Sequence, residues 1–364
     1  IDVYGDAPTI CRYQSLYALS NWRSAFSFVE IEAMSRTIHA AVAELLKIDL
    51  ITSYRVVSIL CGGLFVFTAL MFIFSSKQNL ATRILIPSLL LFNGANQLFF
   101  GHVENYTILY LLSSLYLFSA IRYFEEQRSV WIAIVVLFIA IKVHLAAAVF
   151  IPSLLYLVGH KLSEKFSSLK WFVSAKNITF AVLASVLVGI ALYLWVLHAF
   201  DADYSKTQEI RRETLLLPVT APKSMVSNHY TLFSSYHLVD FTNLIFYITS
   251  GGVVIALVLA AFLSRKIRWK KPAMIFTSLA ALYSLVFAFM LNSAIGIPFD
   301  WDLLCIASLP LVFLAGLALG DIFTKPVESI KETSSINILV VSVAASVIIY
   351  VLNASPSSLL QRLE

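Results

Sequence analysis

The feature that most constrains this chain is a succession of long stretches empty of charge. Phe180–Leu197, Leu244–Leu263 and Ile336–Leu352 contain no Asp, Glu, Lys or Arg. Each approaches the roughly 20 apolar residues that carry a helix across a hydrocarbon core. In lipid a helix satisfies its own backbone donors and acceptors, so such runs read as membrane spans. Composition agrees: 59% of the 364 residues are hydrophobic and 13% are charged, against about 25% charged in a soluble domain. The expected fold class is all-α, a polytopic membrane protein of roughly ten or more transmembrane helices.

Hydropathy places the segments near residues 54–74, 84–100, 105–122, 130–143, 144–159, 172–197, 241–263, 272–291, 303–320 and 336–352. Residues 1–53 then form an outer first loop. Residues 54–364 form the multi-span domain, with a long outer loop at 198–240. Inside the first loop, Ile31–Leu50 reads as an amphipathic helix, with Ile31, Met34, Ile38, Val42, Leu45 and Leu46 at helical spacing. A helix of that kind lies along a membrane surface. The chain opens on Ile1 and a polar stretch with no visible signal peptide, so a further upstream segment is expected.

The connections fall into two alternating sets. One is short and basic: Lys77 with Arg83, Arg122 with Arg128, Lys161 with Lys165 and Lys170, the run from Arg265 to Lys271, and Lys325 with Lys331. The positive-inside rule assigns this set to the cytoplasm. The other set holds the first loop, the turn Gly101–Asn105, the break at Lys142–His144, the loop 198–240 and the turn Asn292–Asp302. Its polar clusters therefore share the non-cytoplasmic face, expected to be the periplasmic side of a bacterial inner membrane. The net charge of +5 follows from this topology. Nucleic-acid binding is excluded as a class, because no basic stripe or base-stacking module is present. Cys11, Cys61 and Cys305 show neither a disulfide framework nor metal spacing.

Four clusters on that face carry potential chemistry. Asp6, in Tyr4-Gly5-Asp6-Ala7-Pro8, is either a plain turn former or a carboxylate able to act as general base. His102 and Glu104, beside Asn105, are ionisable groups at the membrane boundary, suited to a metal, a phosphate or a sugar. As a metal site they lack a third ligand in the local sequence. Lys142 either snorkels to the interface or meets a lipid phosphate together with His144. Asp300 and Asp302 flank Trp301; they either cap the following helix or bind sugar hydroxyls or a cation, with Trp301 stacking on the sugar ring. The loop 198–240 adds Arg211, Arg212, His229 and His237, and its Pro218 and Pro222 interrupt any continuous helix. No phosphate-binding Walker loop, dinucleotide fingerprint, metalloprotease His-Glu motif or Gly-x-Ser-x-Gly elbow occurs.

The order of these motifs resembles the GT-C superfamily, multi-span glycosyltransferases that use lipid-linked sugars, and within it the bacterial mannosyltransferase-like group. The matching stretches are Gly101-His102-Val103-Glu104-Asn105-Tyr106, Lys142-Val143-His144-Leu145, Tyr230-Thr231-Leu232-Phe233-Ser234, His237-Leu238, Asp240, Asn243 and Asp300-Trp301-Asp302. Phe299 stands where that pattern has Arg, and His102 where Tyr is commoner. The resemblance implies that a polyprenyl-phosphate sugar enters from the outer leaflet and is transferred with inversion by direct displacement. Asp6 would be the base. Lys142, His144, Arg211 and Arg212 would bind the donor phosphate. His102, Glu104, Asn105, His237, Asp300, Trp301 and Asp302 would hold the sugars, or a divalent cation (Mg or Mn) if one is used. Implied partners are membrane lipids, the lipid-linked donor and other membrane protein subunits. Two alternatives are a non-catalytic subunit that keeps the fold and a transporter; the chain has no matching inverted halves of the kind transporters carry.

Overall fold

A computed structural model of the chain describes residues 33–126, 128–166, 231–249, 251–291 and 301–323, with isolated positions at 177, 178, 182, 217, 344 and 348. Asp6, Arg211, Arg212 and Asp300 lie outside the described residues, as do nearly all of the segments expected near 172–197 and 336–352.

Every described element is helical. In chain order they are α1 (Ala33–Leu46), α2 (Leu50–Ser75), α3 (Leu80–Leu91), a 3-10 turn (Gly94–Phe99), α4 (Tyr106–Glu126), α5 (Val130–Val143), a 3-10 turn (Leu145–Phe150), α6 (Ile151–Lys165), α7 (Ser235–Thr249), α8 (Gly252–Phe262), a 3-10 turn (Ser264–Lys266), α9 (Pro272–Met290), α10 (Trp301–Leu304), a 3-10 turn (Cys305–Ala307) and α11 (Ser308–Phe323). Among the described residues, five stretches are long and apolar enough to cross a membrane: Leu50–Ser75, Tyr106–Glu125, Leu145–Lys165, Pro272–Met290 and Trp301–Phe323. Helices α7 and α8 add a sixth if the pair counts as one span. The expected count of ten or more is not reached among the described residues. Leu80–Leu91 and Val130–Val143 are apolar but shorter than a full span.

Local chemistry sets several boundaries. Asp49 caps α2 by accepting the Thr52 amide at 2.9 Å and the Thr52 hydroxyl at 2.6 Å, which satisfies a donor the helix start leaves free. Asn79 does the same for α3 through the Thr82 amide at 2.8 Å. The run expected as one segment at 241–263 is two helices that meet at 101°. Gly251 sits in the break with φ +70°, a conformation that other residues rarely hold.

Helix α11 is the centre of the bundle. Of its residues only Leu314 and Phe323 keep partial exposure. It packs against α3, α8 and α9, while α4 packs against α5 and α2. Buried hydroxyl pairs tie helices together inside this apolar core, Tyr110 to Ser308 at 3.0 Å and Tyr116 to Ser153 at 2.8 Å. The outer surface is apolar too: Ile59, Leu60, Phe67 and Phe74 of α2 and Trp131 and Phe138 of α5 are exposed. Apolar surface of that extent belongs against lipid.

The bundle has two chemically distinct ends. At one, the buried carboxylate of Asp321 accepts from Arg268 Nη2 at 2.7 Å and from Lys271 Nζ at 2.8 Å, and Tyr123 donates to Glu164 at 2.9 Å. At the other, α1 and α7 approach the starts of α2, α4 and α10. The Ser35 hydroxyl of α1 donates to the Asn105 carbonyl at 3.3 Å, and Tyr247 of α7 meets Trp301 edge-on at 5.3 Å. The amphipathic segment expected at 31–50 is α1; Met34, Ile38 and Val42 pack on the core, and Leu45 and Leu46 are exposed.

Candidate functional site

The site is built on the turn between the 3-10 helix Gly94–Phe99 and α4. Gly101 has φ +82°, so the chain reverses there at a cost only glycine avoids. Ser58 of α2 pins this reversal: its hydroxyl donates to the Leu98 carbonyl at 2.6 Å and accepts the Gly101 amide at 3.0 Å. One helical turn earlier, Tyr54 donates its hydroxyl to Asn105 Oδ1 at 2.9 Å. Tyr54 and Ser58 lie on one face of α2 because residues four apart do so in a helix. Together they clamp the turn at both ends.

From that turn His102 and Glu104 project toward Asp302, in the first turn of α10. His102 Nε2 lies 3.6 Å from Asp302 Oδ2. One donor atom from each of His102, Glu104 and Asp302 falls within 4.8 Å of the other two. Glu104 is 1% exposed and Asp302 2%, while the His102 side chain keeps 23%. Carboxylate oxygens and an imidazole nitrogen converging out of water form a donor set that suits a cation or sugar hydroxyls. Trp301 frames the cluster with its ring centroid 5.7 Å from that of His102. Tyr247, itself tied to Gln97 at 3.1 Å, also packs against the indole.

The remaining expected residues divide. Asn105 is buried and structural, held by Tyr54 and Ser35. His144 breaks the helix after α5. Its Nδ1 accepts the Ala146 amide at 3.0 Å, which leaves the proton of the neutral ring on Nε2. Its ring stands edge-on to Tyr106 at 5.2 Å, two residues from Glu104, so the break belongs to the same end of the bundle. Lys142 is in the last turn of α5 and half-buried. His237 lies in the first turn of α7, where Nε2–H donates to the Phe289 carbonyl at 2.9 Å. Ten residues of helix, a rise of about 15 Å, separate it from Tyr247, and the group of three converging ligand atoms does not include it.

Sequence reasoning does not single out Tyr54, Tyr247 or Arg55. A side-chain carbon on Gly101 would come within 3.8 Å of Arg55 Cγ, so the stem of the exposed Arg55 lies beside the turn. In the sequence each of these is an ordinary residue at the rim of an apolar run. No family model, no curated protein and no solved structure matches the chain.

Proposed function

We propose that the chain is an integral membrane glycosyltransferase. It moves a sugar from a polyprenyl-phosphate donor to an acceptor hydroxyl at the end of the bundle that carries His102, Glu104 and Asp302. The observation behind this reading is the convergence of two buried carboxylates and an imidazole beside an indole, on the end opposite the Arg268–Asp321–Lys271 cluster. Carboxylates and an aromatic ring are the groups that bind sugar hydroxyls and the sugar face. The positive-inside rule, which assigns basic ends to the cytoplasm, supports the reading of a site on the periplasmic side of a bacterial inner membrane.

In this mechanism the acceptor hydroxyl gives its proton to Asp6 as its oxygen bonds to the anomeric carbon. The bond from that carbon to the phosphate oxygen breaks, and the electron pair leaves on the polyprenyl phosphate. Attack opposite the leaving group inverts the anomeric centre. Glu104, Asp302 and Trp301 orient the donor sugar. Lys142, with Arg211, Arg212 and Arg55, stabilises the charge that grows on the leaving phosphate. His144 contributes its Nε2–H to the same group.

The test is transfer itself. Full-length protein in proteoliposomes is supplied with a panel of radiolabelled polyprenyl-phosphate monosaccharides and a membrane extract as acceptor pool. Transfer by wild type that collapses in Asp6→Asn and Glu104→Gln supports the reading and identifies the donor. A folded wild type that transfers from no donor sinks it and leaves a non-catalytic membrane subunit.

A further inference from the structure

We propose that His102 Nε2 and the carboxylates of Glu104 and Asp302 form a site for one divalent transition-metal ion, Mn2+ or Zn2+, with an open coordination position on the side where His102 is exposed. The glycosyl-transfer reading enters only in the use of that open position, which would take a phosphate oxygen of the donor; the ion site stands on its own geometry.

The distances carry the argument first. Three ligand atoms lie within 4.8 Å of one another. Around a tetrahedral ion with bonds of about 2.1 Å, neighbouring ligand atoms stand about 3.4 Å apart. The 3.6 Å between His102 Nε2 and Asp302 Oδ2 is close to that spacing and too long for a hydrogen bond. His102 Nε2, shielded from solvent, makes no hydrogen bond. Asp302 is already oriented: its Oδ1 accepts the Leu303 amide at 3.0 Å, which turns Oδ2 toward the imidazole.

Charge and donor type narrow the ligand. Carboxylate oxygens favour a cation, and together with an imidazole nitrogen they suit a divalent one. Magnesium favours all-oxygen octahedral shells and keeps several waters. An imidazole donor moves the preference to the first-row transition metals. Three protein ligands leave room for a water or a substrate oxygen, as in open rather than purely structural sites. In the sequence His102 and Glu104 are one ligand short of a set of three; the fold supplies the third from the far end of the chain.

The experiment uses full-length protein in detergent, stripped with a chelator and free of any sugar donor. Mn2+ binding is followed by electron paramagnetic resonance and Zn2+ binding by equilibrium dialysis with metal analysis. One equivalent per chain is expected, not displaced by an about tenfold excess of Mg2+. His102→Ala is expected to weaken it about 100-fold or more, beyond the loss typical of a residue that only supports a ligand. His160→Ala, at the opposite end, leaves binding unchanged. Folding is checked by gel filtration and thermal melting. If Glu104→Gln or Asp302→Asn does not fold, His102→Ala at the exposed edge decides the matter. Absent binding in wild type, or equal binding in His102→Ala, overturns the proposal. An ion bound without any sugar transfer leaves it standing and sinks glycosyl transfer. Transfer by protein that binds no ion does the reverse.

Discussion

The hydroxyl of Tyr54 donates to Asn105 Oδ1 over 2.9 Å, and through it α2 grips the turn from which Glu104 projects. Both partners are buried. Tyr54→Phe removes the hydroxyl and keeps the ring stacked on His39. The expected cost is about 1–2 kcal/mol, the net worth of a buried hydrogen bond with its desolvated acceptor. Thermal unfolding in detergent measures it. Metal affinity should fall with it, because the turn loses one of its two α2 anchors. An unchanged melting midpoint would show that Ser58 alone suffices.

His39 gives the fold an acid limit. Its ring lies on that of Tyr54 with centroids 3.5 Å apart, and burial pushes its pKa from 6.5 down to about 3. The unfolded chain takes up this proton near pH 6.5, and the folded chain does not until about pH 3. Between those values the unfolded state holds the extra proton, so stability is full above about pH 6.5 and declines as pH falls toward 3. His39→Phe keeps the stack and should flatten that decline. Melting midpoints of both proteins across the range decide it, and equal slopes would assign the acid sensitivity to other groups.

Asp321 joins α11 to the start of α9. It accepts from Arg268 and from Lys271, and it is 3% exposed. Arg268 is 59% exposed, so water recovers much of its solvation once the carboxylate is gone. Asp321→Asn is therefore expected to cost about 1–3 kcal/mol, nearer the loss of charged hydrogen bonds than that of a fully buried pair. The effect should persist in high salt, since the carboxylate is shielded from screening ions. A loss that vanishes in salt would contradict this assignment.

Packing of α11 on α3 depends on the absence of side chains. A Cβ at Gly320 would run into the Thr82 hydroxyl, and one at Gly316 into Ile86. Small residues at such crossings let membrane helices close on one another. Gly320→Val is expected to destabilise by about 1–3 kcal/mol through overpacking. Gly63→Ala on α2, where nothing lies within 4 Å, is the matched control. It should be neutral or gain up to about 1 kcal/mol in helix propensity. Both are read from chemical or thermal unfolding.

The helices were legible where the signal is local. The run 130–143 becomes α5 residue for residue because Ser129 before it and His144 after it adopt extended backbone. Hydropathy is blind to backbone direction, however, and so it joined α7 to α8 across Gly251. It also started that segment too late, because His237 and Asp240 in the first turns of α7 lower the local average. In the site, His102 and Glu104 stand out as ionisable groups at the rim of an apolar run. Their partnership with Asp302 has no local trace, since it depends on how α10 docks against the turn. Tyr54 and Tyr247 were invisible for a different reason: an aromatic at the edge of a span looks like any interfacial anchor until its hydroxyl finds a partner.

The cluster draws on residues near 102 and near 302, and this separation has a consequence for biogenesis. As the chain leaves the ribosome, His102 and Glu104 enter the membrane with α4 while Asp302 has yet to be made. Through that interval the turn presents an imidazole and a carboxylate without Asp302 beside them. The cluster is complete only when α10 and α11 have inserted and packed into the bundle. Whatever the site binds, it binds after membrane insertion of this core is complete, so a chain arrested before α11 carries two of the three groups and none of the site.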